Sequence, residues 1–230
     1  MESNLQIILF GLLGGIVPAI LWLLFWLRED KKRPEPRGLL IFSFVGGMAI
    51  VPLVIPLERL VAPDLLNISF MTIVLWALIE EVFKYLASYF TALRTRATDE
   101  PIDPMIYLIT TALGFAALEN TLFLINAFSD GQIIQGLATG NMRFIGATLL
   151  HTVSSAIVGA SIALTFYKSK WVKRTGLLIG LILAIALHAV FNFSIMNITN
   201  GGIFIVFGAV WVLIVFLILF FEKVKRIKKY

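Results

Sequence analysis

The stretch Leu78-Ile79-Glu80-Glu81-Val82-Phe83-Lys84-Tyr85-Leu86 decides how this chain is read. Around it the sequence is apolar: between residues 68 and 93 the only charged side chains are Glu80, Glu81 and Lys84. At a rise of about 1.5 Å per residue, that length crosses a hydrocarbon core of about 30 Å as a helix. A charged side chain at the centre of such a helix costs on the order of 2.5–3.5 kcal/mol on insertion scales. Two glutamates and a lysine therefore need partners on neighbouring helices.

The rest of the chain supplies those helices. Of its 230 residues 59% are hydrophobic and only 14% charged, with a mean hydropathy of +0.93, which is far more apolar than a soluble domain of this length. Apolar stretches recur near 5–27, 39–57, 68–93, 104–128, 144–167, 175–196 and 203–221. The expected fold is all-α: a polytopic helical bundle in the cell membrane with about seven transmembrane helices, forming one integral membrane domain over 1–230. Connections between stretches are short, so no soluble catalytic head is expected. The first stretch has no basic residues before it and no small-residue cleavage site after it, which suggests a retained anchor. The absence of cysteine excludes disulfides, thiolate ligands and a cysteine nucleophile. All five aspartates fall in loops or at span edges, which speaks against an aspartyl intramembrane protease.

Charge sets the expected orientation. All but three of the 19 Lys and Arg residues fall after the first, third and fifth stretches or in the tail; the three are Arg59, Lys84 and Arg143. The positive-inside rule then places the N-terminus outside and the C-terminus in the cytoplasm. The basic surplus reads as topology and contact with lipid headgroups, not nucleic-acid binding, because it is scattered over separate loops. Arg143, at an outer helix end, is expected to reach the headgroups. Pro52 and Pro56 are expected to kink or break the second helix near its outer end. Gly114, Ala116, Ala117, Ser155, Gly159 and Ala160 allow close helix approach.

Six ionisable groups fall inside the spans: Glu80, Glu81, Lys84, Glu119, His151 and His188. Counted from the outer span ends, Glu80 lies roughly 18 Å deep, Glu119 and His188 roughly 14 Å, and His151 roughly 10 Å. Four helices thus bring polar groups to one layer. Residues four apart share a helix face, which pairs Glu80 with Lys84, Phe115 with Glu119, His151 with Ser155 and His188 with Asn192. Three glutamates and one lysine leave two negative charges in a low dielectric, to be met by protons or by a divalent cation. A set of Glu and His side chains suits zinc, and either solution suits hydrolysis by an activated water. A proton-coupled or divalent-metal transporter would use the same groups.

The ordered set Glu80-Glu81-x-x-Lys84, Phe115-x-x-x-Glu119, His151-x-x-x-Ser155 and His188-x-x-x-Asn192 resembles the PrsW family of intramembrane proteases. It is more distantly similar to the superfamily of CAAX prenyl endopeptidases and bacteriocin-immunity proteins. The resemblance covers a catalytic core over 68–196. It implies an endopeptidase that makes the first cut in a membrane-anchored, single-pass anti-sigma factor, near the extracytoplasmic end of its span. Glu80, Glu81, Lys84, Glu119, His151 and His188 would be the functional residues, with Asn192 in support. Glu119, His151 and His188 would be the ligands if zinc is bound, and Glu80 and Glu81 are interchangeable as the base at this stage.

Overall fold

Seven α-helices, and no strand, make up the described residues of the computed structural model, which are 4–31, 33–62, 68–132, 134, 138, 140, 142–197 and 202–228. They are α1 (Asn4–Trp26), α2 (Arg37–Val61), α3 (Phe70–Ser88), α4 (Asp103–Ser129), α5 (Thr148–Leu164), α6 (Lys170–Asn197) and α7 (Ile203–Val224). A 3-10 turn, Leu27–Asp30, ends α1. A π-helical turn, Tyr89–Leu93, extends α3, and another, Arg143–Ala147, leads into α5.

Six of these helices are long and apolar enough to cross a membrane. The seventh, α3, falls short only in composition, because it carries Glu80, Glu81 and Lys84. It runs alongside α2 for its whole length: the Trp76 indole donates to the Glu58 carbonyl at one end (2.9 Å), and Ser43 bonds Thr91 at the other (3.1 Å). The two prolines do not break α2, which is continuous from Arg37 to Val61.

The helices sort by polarity. α4 and α5 are the least apolar of the six, and their spans are 72% and 67% buried against 17–28% for the others. Their Thr, Ser, Asn and His side chains would be costly against lipid, so these two helices take the interior while the more apolar α1 and α7 face outward. Close packing of α4 depends on missing side chains. A Cβ on Gly114 would lie 1.9 Å from the Phe44 carbonyl oxygen of α2, and one on Gly159 of α5 would lie 2.7 Å from Met105 Cα. The small residues thus do what their composition suggested.

One end of the bundle is closed by polar contacts. Lys225 pairs with Glu29 (2.7 Å), Arg33 pairs with Glu100, and the buried Tyr107 hydroxyl donates to Glu35. Asp103 accepts the backbone N–H groups of Asp99 (2.8 Å) and Glu100 (2.6 Å). Burial pushes the Glu35 carboxyl up from 4.5 to about 8 against the opposing Tyr107 hydrogen bond, with Asp103 reinforcing the shift. The folded chain thus holds this proton more tightly than the unfolded chain does. The stabilising effect is complete below the unfolded value and is lost as pH rises towards about 8. Glu35→Gln keeps an acceptor for Tyr107 and a donor for Asp103, and should remove that loss. Thermal unfolding across a pH series should show the variant gaining on the wild type at pH 8, with the gap closing towards pH 5.

Candidate active site

Four helices converge on Lys84. Its side chain is wholly buried, and its ammonium donates to Glu80 Oε2 (3.0 Å), Glu81 Oε1 (2.8 Å) and His151 Nδ1 (2.9 Å). The spacings i+4 and i+3 from Glu80 and Glu81 let one residue of α3 reach both carboxylates, while His151 arrives from α5. The ring of Phe115 from α4 lies 4.5 Å from the ammonium. All three donors of the lysine are used.

Donor bookkeeping fixes both imidazoles. A lysine has no acceptor, so His151 Nδ1 must accept, and the ring proton sits on Nε2, which donates to Glu119 Oε2 (3.1 Å). His188 Nδ1 lies 2.8 Å from Glu81 Oε1, where an ionised carboxylate can only accept, so this ring carries its proton on Nδ1. His188 Nε2 is left with its lone pair 3.9 Å from Glu80 Oε1.

The two adjacent glutamates are placed differently. Glu81 is 1% exposed and accepts from Lys84, His188, Ser154 Oγ (3.0 Å) and Ser155 Oγ (3.4 Å). Glu80 bonds Lys84 and turns towards a cavity of about 460 Å³. That cavity is walled by α2 through α6, and Glu58, Glu119, His151, His188 and Asn192 share its lining. Asn192 makes no hydrogen bond among the described residues.

All seven residues singled out in the sequence therefore belong to one neighbourhood: Glu80, Glu119, His151, His188 and Asn192 on the cavity wall, with Lys84 and Glu81 behind Glu80. The metal-competent grouping differs from the expected Glu119, His151 and His188. The three residues whose donor atoms all lie within 4.8 Å of one another are Glu80, His151 and His188. Glu119 is taken up instead by Arg143, whose Nη2 donates to it at 2.6 Å. A nitrogen, nitrogen and oxygen set on three side chains is the kind that holds a catalytic zinc with a fourth position for water, and His151 would have to give up its bond to Lys84 or to Glu119 to join it. The Glu81–His188 bond is the kind of outer contact that orients a metal-binding imidazole.

Two residues were missed as site residues. Arg143 does not extend to headgroups but lines the cavity, bonding Glu119 and the Asn120 carbonyl oxygen. Glu58, near the C-terminal end of α2, lines it too. Both lie at helix ends, where a charged side chain reads as solvent-facing, and only their arrangement in the bundle distinguishes them.

Comparison with known proteins bears on this geometry directly. The model of the PrsW family of intramembrane metalloproteases matches residues 35–220, which takes in every helix of the cavity wall. The chain belongs to the PrsW family. It is therefore a multi-pass intramembrane protease by family. It is 26% identical to Protease PrsW of Geobacillus kaustophilus over 197 residues, covering 82% of this chain and 81% of that one. It is 29% identical to the protein of the same name from Clostridioides difficile over 192 residues, covering 79% and 77%. For the Bacillus subtilis protein the figure is 22% over 191 residues, covering 81% and 83%. These names lend no support to a transporter. No solved structure matches the chain.

The ion cluster should make Lys84 the most sensitive position of the PrsW site. Removing one partner of a buried ion pair costs about 3–5 kcal/mol, whereas losing one hydrogen bond to a charged group costs about 1.5–3 kcal/mol. Thermal unfolding in detergent should show Lys84→Met severely destabilised and Ser154→Ala less so.

Proposed function

We propose that this chain is an endopeptidase cutting a single-pass, membrane-anchored substrate near the extracytoplasmic end of its span, with Glu80 as general base. The observation that carries the reading is a cavity-facing Glu80 held by Lys84 at 3.0 Å, with His151 Nδ1 at 3.6 Å and His188 Nε2 at 3.9 Å beside it. Glu81, held by four hydrogen bonds, is the positioning carboxylate. Glu80 takes a proton from water as the oxygen attacks the scissile carbonyl, then delivers that proton to the leaving amine. The free amide of Asn192 donates to the developing oxyanion.

The donor set of Glu80, His151 and His188, together with the family's description as metalloproteases, favours a metal-assisted variant, in which Glu80 would be a ligand instead of the free base. A zinc ion held there would polarise the scissile carbonyl and lower the pKa of water. Purified protein should then carry about one zinc per chain, and His188→Ala should lose it. Full activity in protein shown to be metal-free would leave the proton-balanced glutamate mechanism.

Side and substrate follow from charge. With α1 entering from outside, the ends of α1, α3, α5 and α7 that carry most of the lysines and arginines lie in the cytoplasm. The cavity, which reaches Arg59 and Arg143, then opens towards the extracytoplasmic side. A membrane-anchored anti-sigma factor, cut first on the outside and then by a second protease, suits such a site. A substrate helix hides its amides in hydrogen bonds, so the cut belongs in an unwound stretch at the outer end of the span. Cleavage by the full-length protein in lipid should stop with Glu80→Gln while folding persists. Mass spectrometry of the products should place the new termini at the outer end, and termini at the cytoplasmic end would overturn the proposal.

A further inference from the structure

Arg143 belongs to none of the four sequence motifs, yet it holds the outermost link of a chain that ends at Glu80. Its Nη2 donates to Glu119 Oε2 (2.6 Å), its Nε donates to Asn120 Oδ1 (2.5 Å), and the guanidinium lies 3.9 Å from the centre of the Phe123 ring. Asn120 is itself braced, donating to Thr148 Oγ1 at 3.0 Å. One planar fork thus binds a carboxylate, an amide and an aromatic face of α4 together. A lysine, as a point charge, cannot do all three.

The oxygen that Arg143 holds also accepts from His151 Nε2 (3.1 Å). Glu119 can fix that ring only while it stays ionised and stationary. It is partly open to the cavity, with a side-chain exposure of 22%, so packing alone does not hold it. The opposite nitrogen of the ring accepts from Lys84, whose ammonium also holds Glu80.

We infer that Arg143 is a positioning residue for the hydrolysis proposed above: it locks Glu119 so that His151 keeps its proton on Nε2 and presents its Nδ1 lone pair to Lys84, which in turn holds Glu80. The inference rests on the Glu80-centred reading for its effect on rate, but not for its effect on His151. Loss of such an outer contact costs on the order of 10- to 100-fold in activity or metal affinity.

The chain has only two histidines, which makes the tautomer directly readable. In the full-length protein reconstituted in lipid with 15N-labelled histidine, NMR should show one Nε2-protonated ring (His151) and one Nδ1-protonated ring (His188). Arg143→Gln should disturb the first and leave the second unchanged, and Arg143→Lys should restore it in part. On a single-pass substrate, Arg143→Gln should lower kcat about 10- to 100-fold with KM within about twofold. Combining it with Glu119→Gln should add nothing to Glu119→Gln alone. An undisturbed His151 signal in Arg143→Gln, a change in KM alone, or additive losses in the double variant would each overturn the inference. A wild-type protein that shows the expected tautomers but cuts no substrate would count against the protease reading and leave the positioning role standing.

Discussion

The ammonium of Lys84 is the constraint around which the rest is arranged. A wholly buried lysine persists as a cation only if its three donors meet acceptors, and they do so through two glutamates of its own helix and a histidine of another. This requirement draws α5 against α3, and through Glu81 it draws in His188 of α6. Such an ion cluster is weak evidence of stability, since well-packed aliphatic side chains would serve a fold at least as well. Its presence in a chain this apolar points to chemistry.

The scaffold explains how the cluster can exist in a membrane. The helix that carries the charged trio is sheltered by α2, α4 and α6, and the polar helices α4 and α5 fill the interior. Small residues let these helices approach until backbone meets backbone, as Gly114 does with Phe44. The contacts of Tyr107, Glu35 and Asp103 close the end of the bundle away from the cavity.

Much of this was legible in the chain. Apolar stretch lengths give the seven helices to within a few residues, and i+4 spacing brings each of the seven site residues to a common level. Rise per residue measures depth, however, and not rotation about the helix axis. That is why the sequence could not rank Glu80 against Glu81, or choose between Glu80 and Glu119 beside the histidines. Arg143 and Glu58 stayed hidden for a related reason: at helix ends the default partner is headgroup or water, and only the packing of α2, α4 and α5 turns them inward. The prolines of α2 leave that helix unbroken because a missing backbone hydrogen bond can be absorbed when neighbouring helices hold the segment.

The missed residues move the charge deficit to the cavity wall. Reading Glu80, Glu81, Glu119 and Lys84 alone leaves two negative charges unmatched. Adding Glu58, Arg59 and Arg143 leaves one, and it moves. Glu119 now has its own cation, and Glu81 has one imidazole and two hydroxyl partners beyond its share of Lys84. What remains uncompensated lies on Glu80 and Glu58, side by side on the cavity wall, with no ion pair for Glu58 among the described residues. The demand for a proton or a divalent cation therefore falls where water and a scissile peptide bond have access, not in the closed core behind it. A purely structural ion cluster would have no reason to leave its deficit at the open face, whereas a site that must take a proton from water needs its uncompensated carboxylate there.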